Sequence, residues 1–140
     1  MAQQIIRILM CLVIASAAAA ADREISGIWE GTQNGLPAVE LTLKVTDGQI
    51  DGAIAFYFQS RGPDGKWQLG DKYTVPLLSP KLKGRSLSFE TIHHKCHDCP
   101  ELGPNNKYEV EFIGDREARL HILKDQKKQD GEGFKLTRRV

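Results

Sequence analysis

The sequence lacks the run of roughly 20 apolar residues that a helix needs to cross a bilayer, and no transmembrane segment is expected. It has little cysteine, only Cys11, Cys96 and Cys99 in 140 residues, so no disulfide framework can carry the fold. Charge of either sign is not in excess: 19 Lys plus Arg stand against 18 Asp plus Glu. The basic pairs Lys127-Lys128 and Arg138-Arg139 are interleaved with Asp125, Asp130 and Glu132, and this does not provide the one-sided basic face that neutralises phosphates. Nucleic acid is therefore not expected as a partner. Signatures of catalysis are missing as well: there is no Gly-x-Ser-x-Gly elbow, no Gly-rich phosphate loop and no His-Glu-x-x-His. No linker, low-complexity tract or long repeat divides the chain, and no stretch has a convincing helical period.

What is present begins with a leader-like segment. Arg7 precedes an apolar run from Ile8 to Ile14 and a small-residue stretch from Ala15 to Ala21, the three-part layout of a secretory signal peptide. Cleavage near Ala20-Ala21 is expected, leaving 22–140 as one domain in a secreted or periplasmic compartment. Cys11 follows Met10 rather than Gly or Ala, which speaks against a lipid anchor.

From residue 25 onward the pattern is alternation. Val39, Leu41, Leu43 and Val45 share one face, and Glu40, Thr42 and Lys44 the other, as in a half-buried strand. Asp47-Gly48 supplies a turn, and Ile50, Gly52, Ile54, Phe56 and Phe58 resume the inward set. Trp67 to Leu78 reads as an irregular strand interrupted by Gly70-Asp71 and by Pro76, which cannot donate to a ladder. Arg85 to Ile92 places Leu87, Phe89 and Thr91 inward. A long loop from His93 to Asn106 then precedes a strand with Tyr108, Val110 and Phe112 inward. Leu120 and Ile122 point inward on the next strand, with His121 outward, and Phe134, Leu136 and Arg138 share a face on the last. About eight strands in an antiparallel meander can close into a barrel that is filled or holds one small ligand. An all-β barrel, closed or nearly closed, is predicted, with a two-sheet β-sandwich as the alternative.

The opening strand, Ile25-Ser26-Gly27-Ile28-Trp29-Glu30-Gly31, resembles that of the calycin superfamily, the lipocalins, fatty-acid-binding proteins and avidins, in which Gly-x-Trp begins the barrel. The resemblance implies that a basic residue on the last strand packs across the Trp and seals one barrel end, and Arg138 stands at the matching position. The several Trp residues of avidin-type biotin sites are missing, since only Trp29 and Trp67 are present. Gly-x-Trp-x-Gly is also similar to nitrobindin-like haem barrels, but the outward parity of His121 opposes an inward iron ligand.

Chemistry is concentrated in the segment from Thr91 to Glu101, which holds His93, His94, Cys96, His97, Asp98 and Cys99. Cys96 and Cys99, expected in an oxidising compartment with no other partner, read as a disulfide that stiffens the loop. Alternatively His93, His94, Cys96, His97 and Cys99 could ligate zinc or copper, for which thiolate and imidazole are the usual donors. Covalent haem attachment is excluded because Pro100, not His, follows Cys99. No cofactor is expected on the disulfide reading. The predicted function is non-catalytic binding of a small apolar molecule, with Phe56, Phe58, Tyr73, Phe89, Tyr108, Phe112 and Phe134 as candidate walls. The alternatives are a metal or redox module centred on His93 to Cys99, and a solid envelope scaffold. Interior volume separates binding from scaffolding, because ligand sites occupy several hundred Å³.

Overall fold

The computed structural model describes residues 25–96 and 98–140, so the leader-like segment with Cys11 lies outside the described residues, as does His97. Ten strands follow one another: β1 (Gly27–Gln33), β2 (Leu36–Thr46), β3 (Gln49–Arg61), β4 (Trp67–Pro76), β5 (Leu78–Lys83), β6 (Ser86–Thr91), β7 (Asn106–Phe112), β8 (Glu117–Lys124), β9 (Lys127–Lys128) and β10 (Phe134–Arg138). They form one continuous sheet in the order β4-β3-β2-β1-β10-β8-β7-β6-β5, with β9 added to β8, rather than the two sheets of a sandwich. The alternating segments form strands because a period of two places one apolar row on one face of a pleated ribbon.

All the pairings are antiparallel, and β1 meets β10 with Trp29 opposite Arg138. The first and last strands thus join the two halves of the meander. Eight successive antiparallel pairings separate β4 from β5 along the nine-strand path, so these strands run in the same direction. Only Leu77 lies between them in the chain. They are two parts of one long bent strand, the upper part bonded to β3 and the lower to β6. Pro76, the positive φ of Ser79 (48°) and a register shift between Leu78 and Lys81 mark the bend. The sequence places one strand at Trp67 to Leu78; the chain instead breaks at Pro76 and continues to Lys83, because the second part finds its hydrogen bonds on β6. The sheet curls into a barrel that stays open where upper β4 has no strand beyond it among the described residues.

The lower part of the barrel is filled. Trp29, Leu41, Ile54, Leu87, Val110, Ala118 and Leu136 are fully buried there, and burial of a large aliphatic side chain contributes about 1.5 to 3 kcal/mol. Trp29 donates from Nε1 to the Ile25 carbonyl at 2.9 Å and meets the Phe112 ring edge-on at 5.1 Å. The Arg138 guanidinium carbon lies 5.5 Å from the Trp29 ring centroid, inside the range of cation to ring attraction. Arg138 also donates to the Ser26 carbonyl. Gly27 is required beneath it: at φ 129° a Cβ would be strained and would lie 3.3 Å from Arg138 Nε.

Close backbone approach fixes a second glycine. A Cβ on Gly52 would stand 2.2 Å from the carbonyl oxygen of Thr42 on the neighbouring strand, a contact that only separation of β2 from β3 could relieve. Gly52→Ala is therefore expected to cost about 2 to 3 kcal/mol, as overpacking typically does, measured as a lowered urea midpoint with an unchanged slope.

His121 keeps its outward parity yet is buried, its side chain only 3% exposed. The connection from β8 to β10 folds back over it, placing Asp130 Oδ1 3.1 Å from Nδ1, while Glu111 Oε2 of the neighbouring β7 lies 3.6 Å from Nε2. Its neighbour Ile122, expected inward as core, is 52% exposed. Ile122 does have inward parity, but it sits at the upper rim, above the level that the core fills.

Candidate functional site

The upper part of the barrel is hollow. A cavity of about 830 Å³ opens beside β4, with Phe56, Phe58, Tyr73 and Val75 of β3 and β4 on one side. Thr91, Asn106 and Tyr108 of β6 and β7 stand opposite, together with residues 92–96 and 98–100 of the connection between them. A second cavity of about 450 Å³ shares Phe56 and Tyr108 with the first and extends towards Leu120, Ile122 and Phe134. The shared ring pair, whose centroids are 6.0 Å apart, stands between the two.

Register along the barrel axis decides which inward aromatics meet the cavity. Of the sequence-predicted wall residues, Phe56, Phe58, Tyr73 and Tyr108 line the larger space, and Phe56, Tyr108 and Phe134 the smaller. Phe89 and Phe112 line neither of the two. Phe89 is buried behind Tyr108, stacked on it at 5.4 Å, and Phe112 packs at the lower end against Trp29. Both are core, because the cross-strand partners that share their face place them behind or below the open volume.

A polar pair is set into this apolar wall. Thr91 and Tyr108 are both buried and both line the larger cavity. Burial pushes the Tyr108 phenol above its ordinary range, and the neighbouring Thr91 hydroxyl opposes part of that rise. The phenol therefore stays protonated at neutral pH, a donor and acceptor facing the space where a ligand's polar atom can be satisfied. The alternation made Thr91 inward but gave no sign that it would meet Tyr108; the cross-strand register, with Thr91 opposite Asn106 and Phe89 opposite Tyr108, brings them together diagonally.

The segment between β6 and β7, read from sequence as a long loop, is a small flap. Gly103 N donates to the His93 carbonyl at 2.9 Å and Lys95 N to the Glu101 carbonyl at 3.0 Å, with His94 bridged to Leu102 between them. The Lys95 ammonium meets Glu101 at 2.7 Å, an exposed pair that adds little stability. At the tip, Cys99 N donates to the Cys96 carbonyl at 3.4 Å and the Cys99 carbonyl lies 3.1 Å from His94 Nδ1. The Cys96 and Cys99 sulfurs are at disulfide distance, with their Cα atoms 5.3 Å apart. The separation fits the predicted cross-link. Among the described residues no three His, Cys, Asp or Glu side chains are arranged to hold a metal. His93, His94, Cys96 and Cys99 form part of the cavity wall.

No helix among the described residues is long and apolar enough to cross a membrane. No family model matches the chain, and neither the curated proteins nor the solved structures contain a match to it.

Proposed function

We propose that this protein is an exported, non-catalytic barrel of calycin type that holds one small, largely apolar molecule with a polar end. The observation that carries this reading is the open cavity of about 830 Å³ above a filled lower core. That volume lies within the range of known small-molecule sites, which are mostly apolar with a few placed polar groups. Phe56, Phe58, Tyr73 and Val75 supply the apolar side, and the Thr91-Tyr108 pair supplies a polar contact to orient the guest. The filled lower half on its own would suit a scaffold; the hollow upper half favours binding.

Organic extraction of the purified protein followed by mass spectrometry is expected to recover a small molecule in near-stoichiometric amount. Titration of the extracted protein with the environment-sensitive probe 1-anilinonaphthalene-8-sulfonate is expected to saturate at one equivalent. Absence of both extracted molecule and saturable probe binding would overturn the reading in favour of a scaffold.

A further inference from the structure

We propose that this chain exchanges halves with a second copy of itself through the bend between β4 and β5, giving a dimer in which each cavity is built by two chains. Leu77 is the only residue between the two strands, and the backbone beside it is strained. Of the five described non-glycine residues at positive φ, Asn34, Asp47, Asp125 and Gln126 occupy the two-residue turns β1–β2, β2–β3 and β8–β9, where that conformation belongs. Ser79, at φ 48°, instead lies inside β5, where extended backbone is the norm. Pro76 stands on the other side of Leu77 and narrows the conformations open to the bend. A short connection under strain invites exchange, because the chain reaches a relaxed, extended form by passing its second half to a neighbour.

What the exchange must rebuild lies between the two halves, β1 to β4 and β5 to β10. They are joined by the pairing of β1 with β10, by Trp29 packed on Phe112 and under Arg138, by the bond from Arg139 N to the Ile28 carbonyl at 2.8 Å, and by Phe56 beside Tyr108. The larger cavity divides in the same way: Phe56, Phe58, Tyr73 and Val75 come from the first half, Thr91 and Tyr108 from the second. Each of these contacts re-forms when the halves belong to different copies, and the second copy then supplies Thr91 and Tyr108 to a wall begun by β3 and β4. The exchange loses the bond from Leu77 N to the Gly52 carbonyl, 3.1 Å in the single chain, and relieves Ser79. The two effects are of similar size, so protein concentration during folding decides which form is made.

Refolding at micromolar and at millimolar concentration, followed by size-exclusion chromatography with light scattering, tests this. Monomer is expected from the dilute sample and a separable dimer from the concentrated one. Glu30 and Thr137 stand opposite each other across the β1–β10 seam, so Glu30→Cys/Thr137→Cys, in a background carrying Cys96→Ser and Cys99→Ser, reports which chains meet there. On non-reducing gels, oxidation is expected to link the dimer between chains and the monomer within one, with far-UV circular dichroism verifying the fold. Ser79→Gly gives a readout independent of the cysteines, because glycine accepts the positive φ and removes the strain from the single chain. The dimer fraction reached on refolding is then expected to fall, its dissociation constant rising roughly tenfold for each of the two hinges. Monomer at every concentration would overturn the proposal. A dimer linked only within its chains would overturn it as well, by showing two closed barrels side by side. So would a dimer fraction unchanged by Ser79→Gly, by showing that the bend does not drive the exchange.

Discussion

Replacing Trp29 by alanine is expected to destabilise the protein by about 3 to 5 kcal/mol, the cost of deleting a buried aromatic. Trp29 has no exposed surface and is packed on Phe112, and truncation leaves a void that the surrounding strands cannot collapse to fill. At this chain length each kcal/mol corresponds to roughly 3 to 6 °C in melting temperature, so thermal unfolding followed by circular dichroism would register the change easily. Arg138→Met, which keeps the length of the side chain and removes its charge, is expected to cost only about 1 to 2 kcal/mol, the worth of a partly desolvated cation over a ring together with its backbone hydrogen bond. The ordering of the two effects is the informative result. A loss at Arg138 as large as that at Trp29 would mean that the barrel end is sealed by the cation rather than by apolar packing.

The second large effect concerns binding instead of folding. Phe58 is 54% and Tyr73 43% exposed, yet both line the larger cavity. They contribute little to the core and much to the wall. Phe58→Ala/Tyr73→Ala is expected to weaken binding of an apolar guest by tenfold or more, about 1.4 kcal/mol or above, since each ring covers apolar area that the guest would otherwise expose. Stability is expected to stay within about 0.5 kcal/mol of the parent for each substitution, as at other exposed positions. Isothermal titration with an apolar probe, set beside urea unfolding, separates the two quantities. Unchanged affinity would place the guest elsewhere, and the smaller chamber beside Phe134 and Leu120 would be the next position to alter.

Alternation alone made much of this fold legible. Val39 to Val45 and Ile50 to Ile54 sit on the face that their parity assigns, as do Leu87, Phe89, Tyr108, Val110 and Phe112, because a period of two permits no other arrangement once one face is buried. The contact between Trp29 and Arg138 was legible only through the combination of a motif with the parity of the last strand. Parity gives direction but not height along the barrel, which is why Phe89 and Phe112 could not be separated from Phe56 and Tyr108 in advance. Height follows from register, and register depends on pairing between segments distant in sequence. β5 escaped notice for a related reason: Leu78-Ser-Pro-Lys-Leu-Lys carries a proline and a backward-turned serine, and its strand character comes from β6. The flap was visible as a cluster of Cys and His, but its short ladder is held by main-chain bonds with no periodic trace. The burial of His121 was hidden because it comes from a polar connection folding back over the outer face.

The seam between β1 and β10 also has a consequence in time. It joins Trp29 to Arg138, so the sheet cannot be completed until nearly the whole described chain has been made. Before that, β1 and β8 each present an unpaired edge, and the apolar rows that line the barrel have nothing to close against. Contacts of such long sequence separation slow folding and leave strand edges open to wrong partners in the interval. A chain built this way is poorly suited to folding piecemeal as it emerges from the ribosome. Closure is instead a single late event, started by the final strand.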